Sequence, residues 1–304
     1  MGVIKRIFNM KLRPKASNTL KAYLFLLPAL LGLTFLTIGP IIGMVFISMT
    51  KWTGLEPPTF VGFENYVKLF TVDNFFFDAV GATLNFALGA VILGTVYTFS
   101  VAWMLNRKVP ACGFFRSVFF MPYVVPQIGA TIIWAWMYES NFGIFNYFLN
   151  LLGMDKVQFL TDDRFATPAL VVMAVWGLGN MIVIFLAGLQ NVPKTLYEVV
   201  EIDGGTGWHK FIHITIPMMS PIILFNFLMI MVLNMQVFVP AYAVTKGAPN
   251  NSTLYIVYLI YREGFRNNNF GHAAALSLVF IIFIGLVTLL IFKTSKNLIF
   301  AEGE

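Results

Sequence analysis

Two histidines, His209 and His213, stand four residues apart, the spacing at which one helix face presents two metal ligands. Lys210 occupies the place where a zinc hydrolase of this spacing carries its general-base glutamate, and no third ligand lies nearby. Polar residues on an exposed helix face are therefore the better reading, and no metal or catalytic residue is assigned. His272 has no obvious acid partner in sequence and reads as interfacial. Cys112 is the only cysteine, so it closes no disulfide within the chain and reads as a small reduced residue. No Gly-x-x-x-x-Gly-Lys-Ser/Thr occurs, which excludes a P-loop and leaves no cofactor to expect.

The remaining chemistry is uncharged. Asn85, Gln127, Asn180, Asn226, Asn234 and Gln236 are scattered through long apolar runs with hydroxyls and aromatics. Such an array hydrogen-bonds a neutral polyhydroxylated solute and stacks on its apolar faces. Those runs contain no Asp, Glu, Lys or Arg, so they lack the acidic relays that proton-coupled carriers place inside the membrane. Residue types alone leave sodium coupling through backbone carbonyls open. Otherwise the driving energy must come from a partner.

The elements that must hold these residues are membrane spans. Of 304 residues, 58% are hydrophobic and 11% charged, against roughly 25% charged in soluble domains. The length test places six spans near 22–49, 79–105, 118–137, 166–189, 220–244 and 273–292. The first run is too long for a signal-peptide core and has no small-residue cleavage site, so residues 1–21 read as an uncleaved cytoplasmic tail. It should tilt, or bend near Gly39-Pro40. With both ends inside, 13 of the 20 basic residues fall in residues 1–21, 106–117, 190–219 and 293–304. Five of the acids lie there and nine outside, so the expected fold is an all-α membrane protein with six transmembrane helices, N-in and C-in. The +6 net charge thus sorts by membrane side and gives no nucleic-acid patch. An amphipathic outside segment is expected over 141–160, with Phe145, Phe148, Leu149 and Leu152 at helical spacing.

One charged island interrupts the second half, between the fourth and fifth spans. Leu196, Val199, Val200 and Asp203 fall at i, i+3, i+4 and i+7, an apolar stripe ended by an acid, with Glu198 and Glu201 off it. Pro193 suits the start of this short helix and Thr195 its cap, and Gly204-Gly205 suit its end. Acids on the polar face fit lipid headgroups poorly and a basic protein cleft better.

The same stretch, Leu196 through Gly205 and on to Phe211, Ile216-Pro217 and Pro221, resembles the "EAA" loop of ABC importer permeases. Val199-Val200 replaces two alanines, Gly205 replaces a frequent alanine, and Ile216 stands where leucine is usual. Phe60–Tyr66, Met121–Pro126, Asn141–Gly143, Ile184–Gln190 and Phe270–Ala275 resemble stretches of the carbohydrate-uptake group, including maltose- and glycerol-3-phosphate-type permeases. The likeness runs from about Ala22 to Lys293.

This resemblance implies a transmembrane domain over 22–293, followed by a cytoplasmic tail at 294–304. It implies a second, homologous permease subunit, two copies of a cytoplasmic ABC ATPase and an extracytoplasmic solute-binding protein, in a bacterial inner membrane. Leu196, Glu198, Val199, Val200, Asp203, Gly204 and Gly205 would couple to the ATPase, Glu198 approaching basic residues of its cleft. By motif position, Tyr123, Gln127, Gly177, Leu233 and Asn234 would line the substrate path. The chain itself would be no enzyme. A sugar or oligosaccharide is the expected cargo, with glycerol-3-phosphate or another polyol-like solute as the alternative. A stand-alone carrier or channel is the reading outside this class.

Overall fold

Between Pro14 and Ser48 the chain has no charge past Lys21, and despite Pro28 and Pro40 it stays helical throughout, one continuous rod. In the computed structural model, which describes residues 14–107 and 110–295 (side chains from residue 18), the rod is α1 (Pro14–Gly32), a π turn (Leu33–Ile38) and α2 (Gly39–Ser48). Lys5, Arg6, Lys11, Arg13, Lys108 and Lys296, and with them most of both tails, lie outside the described residues. None of the apolar window of Asn18–Ser48 is buried. The rod's C-terminal part, α2, packs on the rest of the described chain, chiefly against the helix Phe270–Ser295.

A two-stranded antiparallel ribbon follows, Thr50–Lys51 (β1) paired with Thr59–Phe60 (β2). The short α3 (Glu64–Thr71) buries Asn65, whose amide donates to Ser48 O at 2.8 Å and Thr50 O at 2.9 Å. The long α4 (Asn74–Leu105) is the central post. Asp73 caps its start, accepting from Phe75 N at 2.9 Å. The same carboxyl turns its other oxygen to His272 Nε2 at 3.0 Å, so His272 has an acid partner after all, 199 residues away. No local pattern announces a pair that only the tertiary fold brings together.

Next come α5 (Cys112–Val124), α6 (Gln127–Met137), α7 (Ile144–Leu151), α8 (Asp163–Trp176) and α9 (Gly179–Asn191). After them run α10 (Lys194–Ile202), α11 (Gly207–Lys210), a π turn (Phe211–Thr215), α12 (Ile216–Met235), α13 (Ile256–Tyr261) and α14 (Phe270–Ser295). Among the described residues, four helical runs are long and apolar enough to cross a membrane: Asn18–Ser48, Asn74–Leu105, Gly207–Met235 and Phe270–Ser295. The pairs α5–α6 and α8–α9 pass that test only together, bent by 99° and 53°, giving four to six candidate spans.

The length test places the third and fourth spans at 118–137 and 166–189 and is silent on the breaks within them. Pro126 has no N–H to continue the helix and holds Val125 extended (φ −68°, ψ 131°). Helix α8 stops at Gly177, and α9 starts two residues later. The fifth helical run starts at Gly207, inside the predicted loop, and ends at Met235, short of the expected Val244. Residues Ala241–Thr245 form a separate π turn after Pro240.

Two apolar cores result. One surrounds Phe86, Leu170, Ile230, Tyr255 and Tyr258. The other, towards the C-terminal end of α4, holds Val101, Ala102, Phe185, Leu189, Ile214 and Met219. Helix α7 turns Phe145 and the buried Asn146 inward, while Phe148 and Leu152 of the predicted stripe are exposed. Asn146 explains the inward face: its amide closes a two-way bond with Val157, donating at 2.9 Å and accepting at 2.8 Å.

Candidate functional site

The helix breaks converge. A cavity of about 510 Å³ is lined by Val125 at the α5–α6 break, Gly177 and Leu178 at the α8–α9 break, and Gln236 to Pro240 after α12. A broken helix frees backbone N–H and C=O groups, which the membrane interior tolerates only where they are buried in protein or face a water-filled cavity. All five residues proposed for the substrate path, Tyr123, Gln127, Gly177, Leu233 and Asn234, lie in its wall. None of the lining residues carries a charge.

Each arrives by a different local rule. Tyr123 sits one turn before the Pro126 break, half exposed, its ring 5.7 Å from Phe120. Gln127 is the first residue of α6. Asn234 is 7% exposed; its amide donates to Ile230 O at 2.8 Å, and its carbonyl oxygen accepts no hydrogen bond within the described residues. Gly177 supplies backbone at the α8 terminus. Asn180, one of the amides the sequence offers to a polyhydroxylated solute, lines the cavity, and so do Trp176 and Phe238, which the sequence reading does not include. The available signal for Trp176 is the pair Gly177 and Gly179, which flank the break between α8 and α9.

The second place is the elbow between α10 and α11. Helix α10 begins after Pro193, so Thr195 is inside it and not its cap. Tyr197 and Val200 face the second core, Tyr197 Oη lying 3.0 Å from Thr215 Oγ1. The predicted stripe is therefore split: Val200 points in, while Leu196 and Val199 join Ile202 on the exposed side, the last 85% exposed. Glu198 and Asp203 share that side, and Glu198 has no ion-pair partner among the described residues.

The turn itself is built on hydrogen bonds that satisfy the last carbonyls of α10. Gly204 N donates to Glu201 O at 3.1 Å and Gly205 N to Val200 O at 2.8 Å, with Gly204 at φ +74°. Lys210 reaches back to Glu201 at 2.8 Å, a bond that holds the Glu201 carboxyl below its ordinary pKa. Thr206 caps α11 in a reciprocal box with His209, whose ring is thereby engaged at 2.7 Å. Among the described residues no group of three His, Cys, Asp or Glu is placed to hold a metal.

Gly205 is tight. A Cβ there would stand 2.4 Å from Val200 Cγ1 and 2.8 Å from Val200 O. The valine at 200 and the glycine at 205 thus compensate one another. Gly205→Ala should destabilise by about 1–3 kcal/mol. Adding Val200→Ala, which removes the shorter contact, should return part of that loss in a thermal melt of the purified chain. An unchanged melt in the single variant would overturn the packing account.

Comparisons with known proteins now bear on this geometry. The family described as "Binding-protein-dependent transport system inner membrane component" matches residues 94–298. "Probable ABC transporter permease protein YesP" of Bacillus subtilis (strain 168) is 29% identical over 97% of this chain and 96% of its own. "Multiple sugar-binding transport system permease protein MsmF" of Streptococcus mutans is 32% identical over 88% of this chain and 95% of its own. "Trehalose/maltose transport system permease protein MalF" of Thermococcus litoralis is 29% identical over 90% and 93%. A chain of the crystal structure titled "bacterial alginate ABC transporter in complex with alginate pentasaccharide-bound periplasmic protein" superposes with a TM-score of 0.80 at 21% identity, covering 95% of this chain and 98% of that one. That likeness is one of fold.

Proposed function

Since this chain belongs to the family of binding-protein-dependent transport system inner membrane components, we propose that it forms half of the membrane path of an ATP-driven importer of a sugar or oligosaccharide. The observation that carries the cargo class is the uncharged cavity at the three helix breaks. Its volume lies in the range of small-molecule sites, roughly 300–1,000 Å³. Amides at Gln127, Asn180 and Asn234 offer donors and acceptors for hydroxyls, and Tyr123, Trp176 and Phe238 offer rings for the apolar faces of a pyranose. A glycerol-3-phosphate site would want a lysine or arginine, and this wall has none. The names of the sugar-transport relatives point the same way.

The mechanism is alternating access, with six spans, both ends in the cytoplasm and the α10–α11 elbow on the same side. An ATPase subunit takes the outward face of α10 into a cleft. Leu196, Val199 and Ile202 supply the apolar contact, and Glu198 and Asp203 supply charge. Tyr197 and Val200 carry the resulting push into the second core, while Gly204 and Gly205 set the turn. Closure of the ATPase pair on ATP moves both permeases, and the cavity opens to an external binding protein. A second, homologous permease would cover the bare flank of α1 and complete the path. The family and the sugar-transport relatives favour this reading over a stand-alone carrier.

The test is uptake of a labelled neutral oligosaccharide into proteoliposomes holding the chain with its partner permease, ATPase and binding protein. Uptake should need all of them and ATP. Asn234→Leu should raise the half-saturating solute concentration about tenfold, the worth of a lost hydrogen bond near 1.4 kcal/mol. ATP-independent uptake by the chain alone would overturn the reading.

A further inference from the structure

A second hollow lies beside the α10–α11 elbow, away from the cavity at the helix breaks. At the C-terminal end of α4, Phe99, Trp103, Met104 and Arg107 face Trp208 and Phe211 at the start of the fifth helical run, enclosing about 450 Å³. The walls are rings: Phe211 stands 5.3 Å from Trp103, 5.6 Å from Trp208 and 6.2 Å from Phe99. Arg107 rests its guanidinium 4.2 Å above the Trp103 ring, which fixes a planar cation at the groove's edge. No carboxylate lines the groove, and Arg107 makes no ion pair among the described residues. Trp208 is two-thirds exposed and Met104 nearly so.

We infer that this groove binds one anionic phospholipid of the cytoplasmic leaflet, its acyl chain on the rings and its phosphate on Arg107. The leaflet follows from the topology proposed above, on which this inference rests. Tryptophans at the end of an apolar helix mark the headgroup level, and an unpaired arginine beside them meets the leaflet that carries negative lipid. Arginine also grips phosphate through two parallel N–H donors, which a zwitterionic headgroup screens with its own cation. The chain's own N-terminal tail is the wrong occupant: Lys5, Arg6, Lys11 and Arg13 would be repelled by Arg107.

The experiment uses the purified full-length chain, alone and assembled with its partner subunits. It is titrated in mixed micelles with phosphatidylglycerol or phosphatidylcholine carrying brominated acyl chains, and tryptophan emission is read. Phosphatidylglycerol should quench at roughly one-fifth the mole fraction that phosphatidylcholine needs. Arg107→Gln should erase that preference, Arg107→Lys should keep much of it, and Trp103→Phe with Trp208→Phe should remove the selective part of the quenching. Equal quenching by both lipids overturns the proposal, as does an undiminished preference in Arg107→Gln. Displacement by inorganic phosphate would make this an ion site, and loss of quenching on assembly would make it a protein contact; either result overturns it. The readout needs no uptake, so its failure is separate from failure of the importer reading.

Discussion

Glu198→Lys should leave the chain folded and inserted yet reduce ATP-driven uptake to background. Glu198 makes no ion pair within the described residues and is exposed on α10, so its loss costs the chain itself less than about 0.5 kcal/mol. In the assembled transporter the same side chain would lie in a basic cleft. Reversing its sign there replaces an attraction with a repulsion, a change of about 2–5 kcal/mol. That is enough to weaken docking by thirtyfold or more. Two readouts separate this from misfolding: the thermal midpoint of the chain alone, expected unchanged, and co-purification with the ATPase, expected lost. Full uptake by the variant would remove Glu198 from the coupling surface. Glu201 makes the contrast. Its carboxyl is already bonded to Lys210, so it clips the elbow together and is less free to bind elsewhere.

The second large effect belongs to Gly179→Ala. A methyl group there would stand 2.7 Å from Phe119 O, 2.9 Å from Phe120 Cα and 3.0 Å from Phe120 O, all of them backbone. Side chains can turn aside, but a helix cannot, so α9 must move off α5. Overpacking of this kind costs about 1–3 kcal/mol. The displacement also separates Tyr123 on α5 from Asn180 on α9, which share the cavity wall. The assembled transporter should therefore melt several degrees lower and take up solute more weakly. Gly129→Ala is the control, because it lies in α6 between the cavity-lining Gln127 and Ala130, with nothing within 4 Å of the added carbon. It should melt no lower than the parent. Equal behaviour of the two variants would show that the close crossing at Gly179 does not hold the cavity together.

The elbow was legible in the sequence where its rules are local. A left-handed C-terminal turn wants glycine, and Gly204 at φ +74° has the glycine that the spacing announced. Which apolar residues of α10 face inward was not legible. Leu196/Val199 and Tyr197/Val200 both satisfy helical spacing, and the choice fell to the core that α4, α9 and α12 present, a tertiary fact. The amides of the cavity, Gln127, Asn180, Asn234 and Gln236, stand out in the sequence as polar residues in apolar runs, and Tyr123, Gly177 and Leu233 come through resemblance, while the breaks that bring them together leave no such mark. Mean hydropathy over a window is blind to direction, so Pro126 and the Gly177–Gly179 step barely lower it although they turn the backbone by 99° and 53°. The pairing of His272 with Asp73 spans nearly two hundred residues and leaves no trace in either neighbourhood.

The long first rod carries a lesson about how the molecule is made. From Asn18 through the π turn, no side chain is buried by the described residues, and those such as Phe25 and Leu36 face outward at 89% and 80% exposure. A segment that leaves the ribosome before every helix it touches must be content in lipid on its own. This one is apolar around its whole circumference, as that requires. Its packing on the other described helices begins at α2, which meets α14. Insertion of this rod and its docking on α14 are thus separated by the synthesis of every element between Ser48 and Phe270.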